Sequence, residues 1–583
     1  MIRSRRENRF ADRSIGELGK GEKLAAATFM RIISQLHLKQ LPAARSGLLT
    51  VGWASLALLA GRQIGHGANY TWTGGGASSR WSEAGNWRSS QPPHSGETAA
   101  VLVFPVGAAR LTSTNDLTNL GVDELAIAGT GYVLAGTNAL LLSPNAPVSV
   151  QATGWTNRIA LPLVLQGTNI FQVAANAALS LAGNLTGPGG FSLSGGGRLE
   201  LAPSKGQDNT YAGPAAVRDG ILQLNSGFVT NPVFGNRTYA LAVPGALTVG
   251  QIGGTNIAIV EGMAMSTNTA LTLLGSGQYQ VAGDSLGFGS LAGDGLVNLV
   301  EQGFQVGFDN RSTVFSGTFT NRFETGLYKV GSGSLTLSGR SSGNVPLGVL
   351  GGTLFLDGDF SASTVQNSAM LRGNGQVGFF LVDGPVSPGH GGPGRLTGNS
   401  IAFDQDSLFL AKLGGTNAGV SYDQLVAKQS FGFTDRNAAL QVELLPGFVG
   451  TAGDQYTIVR DDSTDPIVGN FNGMPEGTVF KLPSGAAFRI SYQGGDGNDV
   501  VLTQTSLPTQ PSLNGVVHLG GGIIQINGFG EPNLTYTVMA NTNLATTNWV
   551  NIGTATASSL GVLQFTDFNT NNYLMRFYRF SWP

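Results

Sequence analysis

The chain has 583 residues, of which 87 are glycine, 12% are charged, 8% are aromatic and none is cysteine. So few charges among so many Leu, Val and Ile exclude a disordered chain, and the missing cysteines exclude a disulfide framework. From Asn69 onward 22 Lys and Arg face 31 Asp and Glu, a net charge of −9 that argues against nucleic acid as a partner.

Residues 1–68 read as a leader. Scattered Lys and Arg fill residues 1–46, and Leu48–Ala60 is then a 13-residue uncharged run. That run is too short to span a bilayer and suits the apolar core of a signal peptide, with Gly65, Gly67 and Ala68 offering cleavage near Ala68. The basic region is long, and Met30 would open a more ordinary leader, so the start of translation is expected there. Ser4-Arg5-Arg6 begins a twin-arginine pattern that Arg9 and Phe10 do not complete. The expectation is an exported protein with no transmembrane span in its mature chain.

Residues 69–105 gather Trp72, Trp81 and Trp87 within 16 positions. They are the candidate sugar-binding residues, because indole faces stack on sugar rings. The competing reading is a cap, in which indoles cover the open end of a stacked fold.

Residues 106–368 are short apolar runs punctuated by Gly, Asn and Thr, and they contain a repeat. Gly190–Leu201 reads GFSLSGGGRLEL and is followed by NTYAG and then DGILQL; Gly326–Leu337 reads GLYKVGSGSLTL and is followed by GGTLFL. Gly195, Gly197, Leu199 and Leu201 align with Gly331, Gly333, Leu335 and Leu337. Each piece is a strand of alternating apolar residues introduced by glycines that permit positive φ. Strands this short bury their apolar face only by stacking on similar strands, which is the logic of a solenoid.

These motifs resemble the autotransporter-associated β-strand repeat of secreted bacterial passenger proteins. The resemblance implies a right-handed parallel β-helix of the pectate-lyase type. The W…NW…P…G spacing after Tyr70 resembles the opening of such proteins, and Lys329 matches a position often basic in the repeat, so it reads as structural. Residues 369–503, from MLRGNGQV through VSPGHGGPGRLTG to FRISYQGGDGNDVVLT, resemble the segment that follows such repeats and form the terminal part of the solenoid.

Residues 504–511 (QTSLPTQP) read as a linker. Residues 512–583 change character and predict a small antiparallel, sandwich-like β module, with Tyr536, Trp549 and Phe577 as core aromatics. About 72 residues are too few for a twelve-stranded translocator barrel at roughly ten residues per strand. The expected class is therefore all-β, a parallel β-helix with a small C-terminal β domain and no translocator.

Candidate chemistry is sparse. Gly494–Val501 matches the calcium-binding GGxGxD pattern, with Asp496 and Asp499 as ligands, but β-roll sites need adjacent copies and a glycine-rich hairpin accounts for the run. Asp461 and Asp462, with Asp465, offer paired carboxylates of the glycosidase kind, yet Asp, Ser and Pro after a strand are ordinary turn formers. Asp404 and Asp406 read as outward positions of a strand. Beyond residue 68 only His94, His390 and His518 remain, with no metal-ligand spacing. No catalytic residue and no cofactor is expected. The reading is a non-enzymatic structural or adhesive protein of the cell surface, extracellular space, periplasm or outer membrane. Its expected partner is a polysaccharide, an extracellular matrix or another cell. The alternatives are a β-helical polysaccharide lyase or glycoside hydrolase, and a carbohydrate-binding surface protein.

The C-terminal module is expected to fold independently behind a semi-rigid Pro-containing linker. Limited proteolysis should cut near Thr505–Pro511 and leave two folded pieces. Unfolding of the strands around Asp499–Leu502 after that cut would make the module a cap instead.

Overall fold

A strand of three or four residues closes too few hydrogen bonds to stand alone, so its stability has to come from the strands above and below it. The computed structural model describes residues 67–581, apart from 155, 204–206, 226–227, 231–236, 255, 263–264, 282–286, 301–302, 322–324, 405, 435–436 and 507–509. The leader expected over residues 1–68 lies almost wholly outside the described residues. The described chain is all-β, and its only helical segments are three 3-10 turns. Among the described residues no helix is long and apolar enough to cross a membrane.

Parallel strands pile into a β-solenoid of about 13 turns. Most coils visit three faces in turn. The first face stacks Asn169–Val173, Phe191–Ser194, Ala215–Val217 and Leu247–Gln251. The second stacks Ala178–Leu181, Arg198–Leu201, Gly220–Leu224 and Ala258–Gly262. The third stacks Leu140–Leu142, Leu163–Leu165 and Leu185–Thr186, and later Phe304–Val306, Leu327–Lys329 and Leu347–Val349.

The register places like on like. Leu125, Val148, Phe171, Leu193, Val217, Val249 and Leu273 form one buried column on the first face. Each such side chain contributes roughly 1.5–3 kcal/mol on burial, and the alternation of a strand turns every second residue outward. One core therefore runs from Tyr70 to Leu502.

Both repeat copies contribute to it. Leu199 pairs with Leu222 and Leu201 with Leu224; Leu335 pairs with Leu354 and Leu337 with Leu356, and all eight are buried. Gly195 at φ 101° and Gly331 at φ 70° make the preceding corner, as their alignment predicts. The copies nevertheless lie one face out of phase. The paired strands of the first copy stack on the second face, whereas those of the second copy stack on the first. The motif specifies one corner and one strand, and a three-sided coil offers more than one corner that accepts it.

Parallel stacking ends at Gln455–Asp461. That strand pairs in parallel with Gln424–Phe433 on one side and antiparallel with Asp499–Thr505 on the other. Ala487–Gly494 and Val479–Lys481 continue the antiparallel meander. The GGDGND run is thus the turn of a hairpin between Ala487–Gly494 and Asp499–Thr505.

The last residues form two three-stranded antiparallel sheets: Ser512–Gly520, Ile523–Phe529 and Val562–Asp567 in one, Val550–Thr556, Thr535–Asn541 and Phe577–Ser581 in the other. Their core is separate from that of the solenoid and includes Ile526, Tyr536, Val538, Leu563 and Phe580. Tyr536 is buried as expected. Trp549 and Phe577 are only half-buried, Trp549 lying under the Arg579 guanidinium in a cation–π contact 4.4 Å from the ring centroid. The strand Phe577–Ser581 points Phe580 inward in their place.

Replacing Leu335 with Asp should cost more than about 4 kcal/mol, because it buries an unpaired charge between Thr313 and Leu354. Loss of the cooperative thermal transition in circular dichroism checks it; a near-native melting curve would show that the column is not the source of stability.

Candidate functional site

The corner between the first and second faces is made of glycine. A Cβ on Gly317 would collide with the Gly295 carbonyl, on Gly339 with that of Gly317, on Gly358 with that of Gly339, and on Gly375 with that of Gly358. Only glycine lets successive backbones approach this closely. The N–H that follows each glycine donates to the glycine carbonyl of the coil before: Arg340 to Gly317 at 3.2 Å, Asp359 to Gly339 at 2.9 Å, Gln376 to Gly358 at 3.1 Å.

Bare corners leave a groove of about 760 Å³. One wall is a ladder of outward side chains in strict register, Thr318, Arg340, Asp359, Gln376 and Thr397. Successive rungs are about 4.8 Å apart, the spacing of hydrogen-bonded strands. Ser316, Ser338, Asp357 and Asn374, the residues before the corner glycines, line the same groove. They also tie coil to coil: Asp357 Oδ1 accepts from the Asn374 N–H at 3.0 Å, and Asn374 Oδ1 accepts from the Arg395 N–H at 3.2 Å.

His390 stands at the rim. Its imidazole stacks on Phe355 with centroids 4.0 Å apart, and its Nδ1 lies 3.0 Å from Asp357 Oδ2. Gly389 at φ 92° and Gly391 at φ 90° flank it and make the sharp turn. The strand Pro385–Pro388 before that turn is anchored by Lys412, whose Nζ donates to Ser387 Oγ at 2.6 Å and to the Pro388 carbonyl at 2.8 Å. Asp423 pairs with Lys412 at 2.8 Å, and burial pushes its carboxyl up against the pull of that ammonium.

The groove thus offers a guanidinium, two carboxylates, two amides, an imidazole and several hydroxyls in a row. Such a set can both donate to and accept from hydroxyl groups. Of these residues the sequence reading singled out only His390. The signal it passed over is a recurring dipeptide, Asp294-Gly295, Ser316-Gly317, Ser338-Gly339, Asp357-Gly358 and Asn374-Gly375.

The other sequence candidates lie elsewhere. Trp72, Trp81 and Trp87 are 0%, 0% and 2% exposed. Their rings pack edge-on to one another and against Tyr70 and Phe104, so no indole face is open to a sugar. Lys329 is buried, with its Nζ donating to the carbonyls of Val330, Gly331 and Gly351, and burial pulls its pKa down. Asp404 and Asp406 follow the end of the strand Arg395–Phe403 rather than lying outward within it. Asp406 has φ 63°, a left-handed conformation that a strand does not accept. His94 and His518 are exposed.

Two separated candidates do meet. Asp499 Oδ1 accepts from the Asp461 N–H at 3.0 Å, and Asn498 Nδ2 donates to the carbonyls of Ser463 and Asp465. Asp461 closes its strand and is buried, accepting from the N–H groups of Phe431 and Ser463, while Asp462 pairs with Arg460 at 2.7 Å. Asp496 is exposed at the hairpin tip. Among the described residues no group of three or more His, Cys, Asp or Glu is placed to hold a metal ion.

Burial, with repulsion from Asp496 and Asp461, raises the Asp499 carboxyl above the ordinary carboxylate range. A raised acid favours the fold when protonated, so its contribution is full below the ordinary value and is lost as pH rises through the raised one. Asp499→Asn should therefore raise the melting temperature at about pH 7 and change it little at about pH 4. Millimolar calcium should leave the melting temperature of the parent unchanged, since specific binding would raise it by mass action. Scanning calorimetry at both pH values, with and without calcium, checks both outcomes.

Compared with models of known families and with curated proteins, the sequence matches none significantly.

Proposed function

We propose that the chain is an exported surface or extracellular β-solenoid that binds a polysaccharide of a matrix or neighbouring cell, acting as an adhesive scaffold and not as an enzyme. The apolar run at Leu48–Ala60 and the resemblance to autotransporter-associated repeats support export. The observation that carries the binding reading is the groove. Its rungs repeat once per coil along the axis and are fixed by backbone ladders, which suits a linear polymer better than a compact ligand.

A second reading has its own support. Asp357, Asp359 and His390 share that groove or its rim, and carboxylates with an imidazole are the groups a polysaccharide-cleaving enzyme needs.

One experiment separates the two. The purified protein is run on a panel of immobilised acidic and neutral glycans, and the same glycans are assayed for new reducing ends or unsaturated products. Retention without product is expected, and Arg340→Ala combined with Gln376→Ala should weaken it about tenfold, the loss of one or two charge-assisted hydrogen bonds. Product formation that Asp359→Asn abolishes would replace the adhesive reading with the enzymatic one. N-terminal sequencing of the protein recovered outside the cytoplasm should begin near Asn69.

A further inference from the structure

The third face differs from the corner groove in one respect that bears on ligand choice: its outward row is uncharged. In register along the axis stand Gln305, Tyr328, Gly348, Gln366, Leu381 and Ala402. Tyr328 is 40% exposed in this row. Its ring does not stand up from the sheet as side chains on a strand usually do. A Cβ built on Gly348, one coil on, would lie 2.5 Å from Tyr328 Cδ1, and one on Gly303, one coil back, 3.2 Å from Cε2. The ring therefore lies down across both neighbouring coils, and Gly348 is buried beneath it. Phe308 repeats the device. It is 39% exposed, and its ring occupies the space a Cβ on Gly287 would need. Gly287 is the register partner of Gln305, itself the partner of Tyr328.

We propose that this stripe is a second glycan-binding site, specific for a neutral polysaccharide, with Tyr328 and Phe308 as stacking platforms and Gln305 and Gln366 as hydrogen-bonding flanks. A pyranose has an apolar C–H face and a rim of hydroxyls. A ring laid flat offers its π face to the first, and an amide on the adjoining coil offers both donor and acceptor to the second. The row excludes an acidic polymer by the same chemistry. No cation stands in it, and the carboxylate beside it, Asp383, accepts from Gln366 Nε2 at 3.3 Å. Lys329, next in sequence to Tyr328, points inward and caps three carbonyls. Phe379, 41% exposed, stands on the same face beside an apolar hollow of about 220 Å³, so the stripe has room to continue for a short oligosaccharide. The stripe extends the polysaccharide-binding reading to a surface separate from the groove.

An aromatic ring over a glycine also shields the backbone beneath it, a purely structural role. The test needs a readout that shielding does not move. The full chain is run by affinity electrophoresis in gels containing glucomannan, hydroxyethyl cellulose or dextran as neutral probes, and alginate or pectate as acidic ones. Retardation is expected in at least one neutral gel. Tyr328→Ala and Phe308→Ala should each weaken it at least about fivefold, and Tyr328→Phe should retain it. Melting temperatures of all variants are taken alongside, so that a fold too damaged by Tyr328→Ala is judged from Phe308→Ala and Tyr328→Phe. If no neutral gel retards the parent, or retardation survives both alanine variants, the stripe is structural only. Arg340-dependent retardation confined to the acidic gels would overturn the stripe and leave the groove reading standing.

Discussion

Every coil of this molecule hangs on the backbone of the coil before it. The peptide groups of successive strands pair in parallel, and at the corners between faces the chain must pass so close to its neighbour that a Cβ would strike a carbonyl. Gly295, Gly317, Gly339, Gly358 and Gly375 meet that requirement along one edge. Corners also end strands, and each strand end leaves polar groups that water cannot reach. Buried side chains take them up. Asn157 bridges the Tyr132 N–H and the Gly129 carbonyl, Asn209 bridges the Leu185 N–H and the Ala242 carbonyl, and Lys329 gathers three carbonyls. Nearly all of the stability then comes from repetition, because one coil alone buries little.

The same constraint determines what the surface can do. Residues that share a register position stand in a line along the axis, one per coil, so any chemistry the sequence places there becomes a linear array. On the edge between the first and second faces the array carries charge, with Arg340 and Asp359 on adjacent rungs. On the third face it carries aromatic rings and amides. Backbone ladders hold both arrays, so a polymer meeting them pays little entropy for ordering the protein.

Much of the fold was legible because the repeat pair states it directly. Glycines at the corner and leucines two apart name a turn and an inward-facing strand, and Leu199, Leu201, Leu335 and Leu337 all lie in the core. The phase was not legible. The sequence cannot say which corner a motif occupies, because Gly195 before the second face and Gly331 before the first both take a positive φ and both have a carbonyl of the neighbouring coil where a Cβ would sit. The site was hidden for a related reason. Gly339, Gly358 and Gly375 sit among 87 glycines, and their meaning appears only once the coils align Arg340, Asp359 and Gln376. Tryptophan attracts a binding reading, yet Trp72, Trp81 and Trp87 are large enough to be needed inside, whereas Tyr328 reaches the surface because Gly348 makes room for its ring.

A solenoid must also stop, since a free parallel edge invites the next strand from any chain that offers one. At the start, the four rings of Tyr70, Trp72, Trp81 and Trp87 fill the first coils with aromatic bulk and dense edge-to-face contacts. At the other end the chain reverses direction. The outer edge of Gln455–Asp461 is taken by Asp499–Thr505 running antiparallel, and Ala487–Gly494 and Val479–Lys481 carry the sheet onward. The Asp461–Asp499 contact sits at this reversal, holding the hairpin to the last parallel strand through a backbone N–H. That arrangement brings together two acidic stretches that lie far apart in sequence, at the place where the parallel stack ends. The final sheets keep a core of their own, with Tyr536 and Phe580 in it.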